Sequence, residues 1–249
     1  SMPSAHRARS PSLWCAVCSA PSLRKQIIVT EWKGADYMKT IITIGRQYGS
    51  AGHSIGKILA DGLGIKYYDK ELLERAAKDS GLCQELFENH DEKPTNSFLY
   101  SLVMDSYSFG YGSTMMDMPL NQKVFLAQFD AIKKISQDGP CVIVGRCADY
   151  ALEENPNVLS IFIKADMQDR IRRIAKLYDL SDAKAKDKIT KIDKQRASYY
   201  NYYTSKRWGE VDSYDLCLNS SVFGIDGTVD MIKQAIEVKE AGIRKIFSI

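Results

Sequence analysis

Between a β-branched run (Ile41, Ile42, Thr43, Ile44) and an apolar-periodic run (Ile55, Ile58, Leu59, Leu63) lies a stretch of small and polar residues, Gly49-Ser50-Ala51-Gly52-His53-Ser54. A loop that leaves a strand and opens a helix in this way suits one chemistry above others. Its main-chain amides can turn inward around a phosphate, where the helix N-terminus also favours negative charge. Laid on the phosphate-loop pattern, Gly52-His53-Ser54 takes the Gly-Lys-Ser/Thr end. Gln47 then stands where the first glycine belongs, and His53 where the phosphate-binding lysine belongs. His53 is there either a partial cation beside phosphate or a solvated structural residue; Lys57, one turn on, or an arginine from elsewhere would supply charge in its place. Ser54 holds the hydroxyl position that such loops offer to magnesium. The competing reading is a plain tight turn between strand and helix.

Other candidates share one placement, just after an apolar strand. Arg46 follows Ile41–Ile44, Asp69 follows Ile65–Tyr68, and Arg146 follows Cys141–Val144. Ligands in open parallel sheets sit at the carboxyl ends of the strands, so these three converge on one edge. Asp69 serves equally as a helix N-cap or as a substrate contact. Arg146 can fork two hydrogen bonds to a phosphate, or form an ion pair with Asp149 or a helix end. Further on, Arg170, Arg172 and Arg173 share a helix on which Ile171, Ile174 and Tyr178 face inward. Most charges on such a helix are solvated; the functional alternative is a basic flap closing over a nucleotide. Asp193 and Arg196, three apart, share a helix face ahead of Tyr199, Tyr200, Tyr202 and Tyr203.

The elements that must position these residues alternate. The strands above, with Val158–Ile163 and Tyr214–Leu218, are separated by amphipathic helices, the last carrying Val229, Ile232 and Ile236. Continuous apolar strands alternating with helices predict an α/β fold, a parallel sheet covered on both faces in three layers. Two excursions are too long for plain crossovers. One covers about residues 70–140, with helix-like stretches at 70–78 and 122–136 around a Tyr/Ser/Gly/Met-rich loop at 97–118. The other, about 166–208, is helical and basic.

Composition narrows the function classes. With 249 residues, 45% hydrophobic, 26% charged and a net charge of only +3, the chain is an ordinary globular protein without a general pull toward nucleic acid or membranes. No apolar run approaches the ~20 residues of a membrane helix. The six cysteines form no framework; Cys83, Cys141 and Cys217 read as small buried hydrophobes of a reducing cytoplasm, and the lone Cys15-Ala-Val-Cys18 pair lacks ligand partners. Residues 1–37, rich in Ser, Ala, Pro and Arg, read as a flexible N-terminal extension, either native or a foreign addition, with Ser1-Met2 resembling an expression scar. The main domain is expected over 38–249.

Several blocks together, Gly45–Gly52, Tyr67-Tyr68-Asp69, Val144–Tyr150, Asp193–Tyr203 and Tyr214-Asp215-Leu216, resemble the cytidylate kinase-like family of phosphate-loop nucleoside monophosphate kinases over roughly residues 38–240. The resemblance implies a P-loop kinase core with a helical acceptor-binding insertion and a helical lid. It implies ATP-dependent phosphorylation of CMP or dCMP with Mg2+, in the cytoplasm, with nucleotides as partners. A kinase for another small phosphorylated or hydroxyl acceptor, or a silent nucleotide-binding regulator, are the alternatives. ATP would lie along Gly49, Ser50, Ala51, Gly52, His53 and Ser54. Arg46, Asp69, Arg146 and Asp193 would meet the acceptor, the last through an Asp-x-x-Arg pair with Arg196. Arg170, Arg173 and Arg196 would close over the transferring group. The chain departs from the family pattern at His53, at Cys147 where aspartate is usual, and at Phe125, near the place of a recognition arginine.

Overall fold

Five strands form a single parallel sheet in the order β2-β3-β1-β4-β5. They are β1 (Ile41–Arg46), β2 (Lys66–Tyr68), β3 (Cys141–Val144), β4 (Val158–Lys164) and β5 (Leu216–Asn219). The computed structural model describes residues 38–69 and 120–246. The extension at 1–37, the helix-like stretch at 70–78, the loop at 97–118 and Cys15, Cys18 and Cys83 lie outside the described residues.

Register explains why the strands are apolar throughout. Ile42 pairs with Val142, Ile44 with Val144 and with Ile161, and Arg46 with Ile163. Partners in a ladder point to the same face, so Ile42, Ile44, Val142, Val144, Ile161 and Ile163 make one surface, all fully buried. Helices α1 (Gly52–Leu63) and α6 (Ser220–Ile246, kinked at Gly224) cover it. Ile41, Cys141 and Ile143 face the other way, toward α2 (Leu120–Gln137) and the short α3 (Ala148–Ala151) through Val124, Ala131, Ile132, Ile135 and Leu152. The three layers expected from the alternation are present. Helices α4 (Met167–Tyr178) and α5 (Asp182–Thr204) form a hairpin after β4, joined by Ile171, Ile174, Ala185 and Ile189.

Three local expectations are corrected. Ile58 is 42% exposed, because the buried stripe of α1 runs through Gly52, Ile55, Gly56, Leu59, Ala60 and Leu63. Three small residues, Gly52, Gly56 and Ala60, carry the helix close to the sheet, and a search for large apolar side chains passes over them. Tyr178 is 47% exposed, its ring under the Lys188 ammonium at 3.4 Å. The last strand begins at Leu216 instead of Tyr214; Asp215 is turned to β4, where its carboxylate accepts from the Ser160 amide and hydroxyl at 2.8 and 2.9 Å.

The first strand is tied to the last helix by a buried carboxylate. Glu240 Oε1 accepts from the amides of Lys39 and Thr40 at 3.0 and 2.9 Å and from the Thr40 hydroxyl at 2.5 Å. Glu240→Ala strands these donors in a buried place and is expected to cost about 1–3 kcal/mol by denaturant unfolding. Glu240→Gln, which keeps an acceptor, should recover part of that loss; equal stability of all three proteins would refute the tie.

Candidate active site

The strand-to-helix loop at the carboxyl end of β1 is built on Gln47. Its amide donates to the Ile163 carbonyl at 3.0 Å, and its side-chain oxygen accepts from the Ala165 amide at 3.1 Å. Its own carbonyl accepts from the amide and hydroxyl of Ser50, at 3.2 and 2.9 Å. The residue standing at the motif's first glycine thus staples the loop to the end of β4. Ser220, at the start of α6, adds a bond from its hydroxyl to the Ser50 carbonyl at 2.8 Å.

Helix α1 then opens from Ala51, which takes a left-handed conformation (φ 64°, ψ 11°) rarely adopted by a residue with a side chain. No side chain caps the first turn and no acidic residue lies in it. Ile55 donates to the Ala51 carbonyl, so the amides of Gly52, His53 and Ser54 precede the helical ladder and stay directed out of its N-terminus. That is an anion cradle by geometry. Gly52 is required there by contact, since a Cβ would come 2.5 Å from Arg46 Cβ.

The hairpin α4–α5 reaches the loop through its main chain. Asp193 Oδ1 accepts from the Tyr48 amide at 2.7 Å, and its other oxygen pairs with Arg170. Arg170, only 3% exposed, donates from Nε to the Tyr48 carbonyl at 2.8 Å. Arg173 donates to the Gly49 carbonyl, and Arg196 to the Arg46 carbonyl at 3.2 Å. The Tyr48 ring packs into the hairpin's apolar seam, under the Arg196 guanidinium at 5.5 Å. Burial first, and then a hydrogen bond with Tyr178, hold the Tyr48 phenol above its ordinary range. Arg172 pairs with Asp169 at the surface, the solvated role that most charges on such a helix have.

On the other side of β1, Gly145, Arg146 and Cys147 all take positive φ (81°, 61°, 53°) after β3. Two non-glycine residues held this way amount to roughly 1–3 kcal/mol of strain each, a cost that persists only where the surroundings impose it. At Gly145 the φ of 81° favours glycine, and the end of the Arg46 side chain, Nη1, lies where a Cβ would be. The turn leaves Arg146 buried with Nη2 3.9 Å from Asp69 Oδ1, while Asp69 Oδ2 lies 3.3 Å from His53 Nε2. Asp69 therefore joins the residue at the motif's lysine position to the arginine at the sheet edge. His53 is 62% exposed at its side chain, with its ring edge-on to Tyr67; Ser54 and Lys57 are exposed beside it on α1.

Arg46, Arg146 and Arg196 line one cleft together with Asp149, Tyr199, Tyr200, Trp208 and Tyr214. Asp193, Arg170 and Arg173 are outside that lining and belong to the loop. Asp149 accepts from the Tyr200 hydroxyl at 2.6 Å; burial pushes its carboxyl up, and the Tyr200 bond works in the opposite direction. Burial and the neighbouring Asp149 likewise raise the Tyr200 phenol. Asp149, Tyr200, Trp208 and Tyr214 were not among the sequence candidates as cleft residues. The sequence offered Asp149 only as an ion-pair partner for Arg146; in the structure it accepts from Tyr200 at the cleft. Phe125 does not line the cleft; it stacks on Tyr203 at 4.1 Å, in the apolar cluster behind the cleft residues Tyr199, Tyr200 and Tyr214.

The arrangement pairs an amide cradle with an arginine-lined cleft across the end of β1, a geometry suited to two phosphate-bearing ligands meeting. The sequence profile of the cytidylate kinase-like family matches residues 41–222. The chain is similar to the cytidylate kinase of Pyrococcus horikoshii, 26% identical over 213 residues covering 83% of this chain and 95% of that protein. It is also similar to the cytidylate kinase of Methanococcus vannielii, 24% identical over 200 residues, 79% of this chain and 99% of that one. Among solved structures, an uncharacterized protein from Eubacterium ventriosum superposes with a TM-score of 0.61 at 30% identity, covering 80% of this chain and 99% of that chain. A profile match across most of the chain, on a parallel sheet with a phosphate loop at its central strand, establishes that this chain belongs to the cytidylate kinase-like family of nucleotide-binding phosphate-loop kinases.

Proposed function

We propose that this protein is a cytoplasmic, ATP-dependent nucleoside monophosphate kinase that converts CMP or dCMP to the diphosphate. The observation that carries the reading is the opposition of the α1 N-terminal cradle to the cleft of Arg46, Arg146 and Arg196, with Arg46 between them. Both cytidylate kinase relatives are covered over nearly their whole length, which favours the same acceptor class. No helix among the described residues is long and apolar enough to cross a membrane, and the small net charge speaks against nucleic acid as a partner.

In this reading the triphosphate of ATP lies along Gly49–Ser54, held by the amides of the cradle. Arg146 and Arg46 hold the acceptor phosphate, with Asp69 orienting Arg146 and Arg196 closing from α5. An oxygen of the acceptor phosphate attacks the γ-phosphorus, the bond to the β–γ bridging oxygen breaks, and ADP leaves. The acceptor is already anionic, so no general base is needed; the residues position the phosphates and spread their charge. Mg2+ takes most of its ligands from phosphates and water plus one or two protein oxygens, a demand that the exposed Ser54 hydroxyl at the mouth of the cradle fits. When bound, it would supply neutralising charge to the phosphates. Arg170 and Arg173 stand on the donor side of the cleft, against the loop.

One observation favours a second reading. Phe125, near the place of a base-recognising arginine, is turned into an apolar cluster, which fits a kinase for a different small phosphorylated or hydroxyl acceptor.

ADP release in the presence of ATP, Mg2+ and a panel of monophosphates tests the assignment, with CMP and dCMP expected to give the highest kcat/KM. A preference for another acceptor establishes the second reading, and no turnover with any member rejects the kinase. Arg146→Ala is expected to lower kcat/KM for the acceptor roughly 100-fold, the loss of a charge-assisted bond worth about 3 kcal/mol. His53→Lys should lower KM for ATP and His53→Ala raise it about 10-fold, as the loss of one weak phosphate contact would. Identical ATP kinetics in all three proteins would show that His53 makes no phosphate contact.

A further inference from the structure

Resemblance assigns Asp193 and Arg196 to the acceptor nucleotide, as an Asp-x-x-Arg pair. Their geometry here differs. Both carboxylate oxygens of Asp193 are taken, one by the Tyr48 amide at 2.7 Å and the other by Arg170. Arg170 returns to the same residue, donating to the Tyr48 carbonyl at 2.8 Å. The donor and the acceptor of one peptide residue are thus held by two side chains that also hold each other, a closed ring of three interactions. Arg170 is nearly buried, and Asp193 is mostly so, with its side chain 17% exposed. Neither lines the cleft of Arg46, Arg146 and Arg196.

The next residues extend the pattern. Arg173 donates to the Gly49 carbonyl, and the Tyr48 ring fills the seam between Ile171, Ile174, Ala185 and Ile189. The loop it holds lacks the motif's first glycine, and Ala51 sits in a left-handed conformation that costs energy. A loop with little intrinsic preference for its shape needs outside contacts to keep that shape. The Asp193, Arg170 and Arg173 contacts reach main-chain atoms of the loop, and the Tyr48 ring anchors it by packing, so together they set where the amides of the cradle point without touching a ligand.

We infer that Asp193 and Arg170 are positioning residues of the phosphate loop, through which α5 sets the donor-phosphate cradle, and that Asp193 is not an acceptor contact. This rests on the kinase reading above and deepens its donor side.

Two measurements decide it. In steady-state kinetics with ATP and CMP, Asp193→Ala is expected to raise KM for ATP at least 10-fold and to lower kcat, while KM for CMP stays within twofold. Asp193→Asn, which keeps an acceptor for the Tyr48 amide but loses the charge facing Arg170, should fall between; it carries the experiment if the alanine variant does not fold. Arg170→Ala should give the same split, and the double variant should be no worse than the weaker single. A rise in KM for CMP with KM for ATP unchanged would overturn the proposal and restore Asp193 to the acceptor. Amide hydrogen exchange without nucleotide reads the brace directly: the peptide spanning Tyr48 and Gly49 should exchange faster in the variant. Unchanged exchange there overturns the brace even if wild-type protein phosphorylates no monophosphate, an outcome that by itself rejects only the kinase reading.

Discussion

Arg46 is the side chain on which the site depends. It ends the central strand, and its stem and head occupy two spaces that only glycine leaves open, one beside Gly52 and the other beside Gly145. The first lies at the start of α1 and the second in the turn after β3. A single side chain thereby sets the distance between the loop offered to one phosphate and the turn that carries Arg146. Sheet order makes this possible, since β1 lies between β3 and β4, whose carboxyl ends flank that of β1. Glycine at 52 is then a steric demand of the arginine stem, while at 145 the positive φ of the turn calls for glycine in its own right.

The charges around this centre follow a common logic. Burying a guanidinium is expensive unless its donors are satisfied, and a buried pair gains little net stability over an apolar substitute. Arg170 meets that condition through Tyr48 and Asp193, so its presence is better explained by the geometry it imposes than by stability. Arg46, Arg146 and Arg196 instead converge on a cleft, where an anion would relieve their mutual repulsion. The same edge of the sheet therefore holds Arg170 and Arg173, bonded to the main chain of the loop, and the cleft arginines, of which Arg196 also donates to the Arg46 carbonyl. Asp69 stands between the cleft and the loop, within reach of Arg146 and of His53.

Much of this edge was legible in the sequence because strands and loop obey short-range rules. Ile41–Ile44, Cys141–Val144 and Val158–Ile163 are apolar on both faces, the signature of parallel strands, and residues at their carboxyl ends fell where the sheet brings them together. Arg46 and Arg146 share the cleft for that reason, with Asp69 beside Arg146. What the sequence hid is long-range. No local pattern reveals that Gln47 reaches Ala165, that Asp193 reaches Tyr48 145 positions earlier, or that Asp215 binds Ser160 on β4. Asp149 and Tyr200 form a hydrogen bond only because α3 and α5 meet at the cleft. Ile58 and Tyr178 misled for a simpler reason. Large apolar residues near a helical stripe look buried, while the small residues that bring a helix onto its sheet leave no hydrophobic signal.

The missing lysine can be weighed on the same terms. A phosphate-loop lysine reaches phosphate as a flexible point charge, and the loop around it takes its shape from glycine. Here the first glycine is Gln47 and the lysine is His53, so both the flexibility and the point charge are reduced at the same place. The contacts of the structure compensate for the first loss: Gln47, Ser220, Asp193, Arg170 and Arg173 restrain the loop from outside. A restrained cradle costs less entropy to occupy, and preorganised amides act on charge without reorganising. In the proposed reading the second loss is met by arginines that lie across the sheet edge, not within the loop. Charge supplied that way is strongest when both phosphate-bearing ligands are in place, because Arg46 and Arg196 stand between the two halves of the site. Such a division favours a protein in which donor binding alone is weak and the acceptor completes the field around the transferring group.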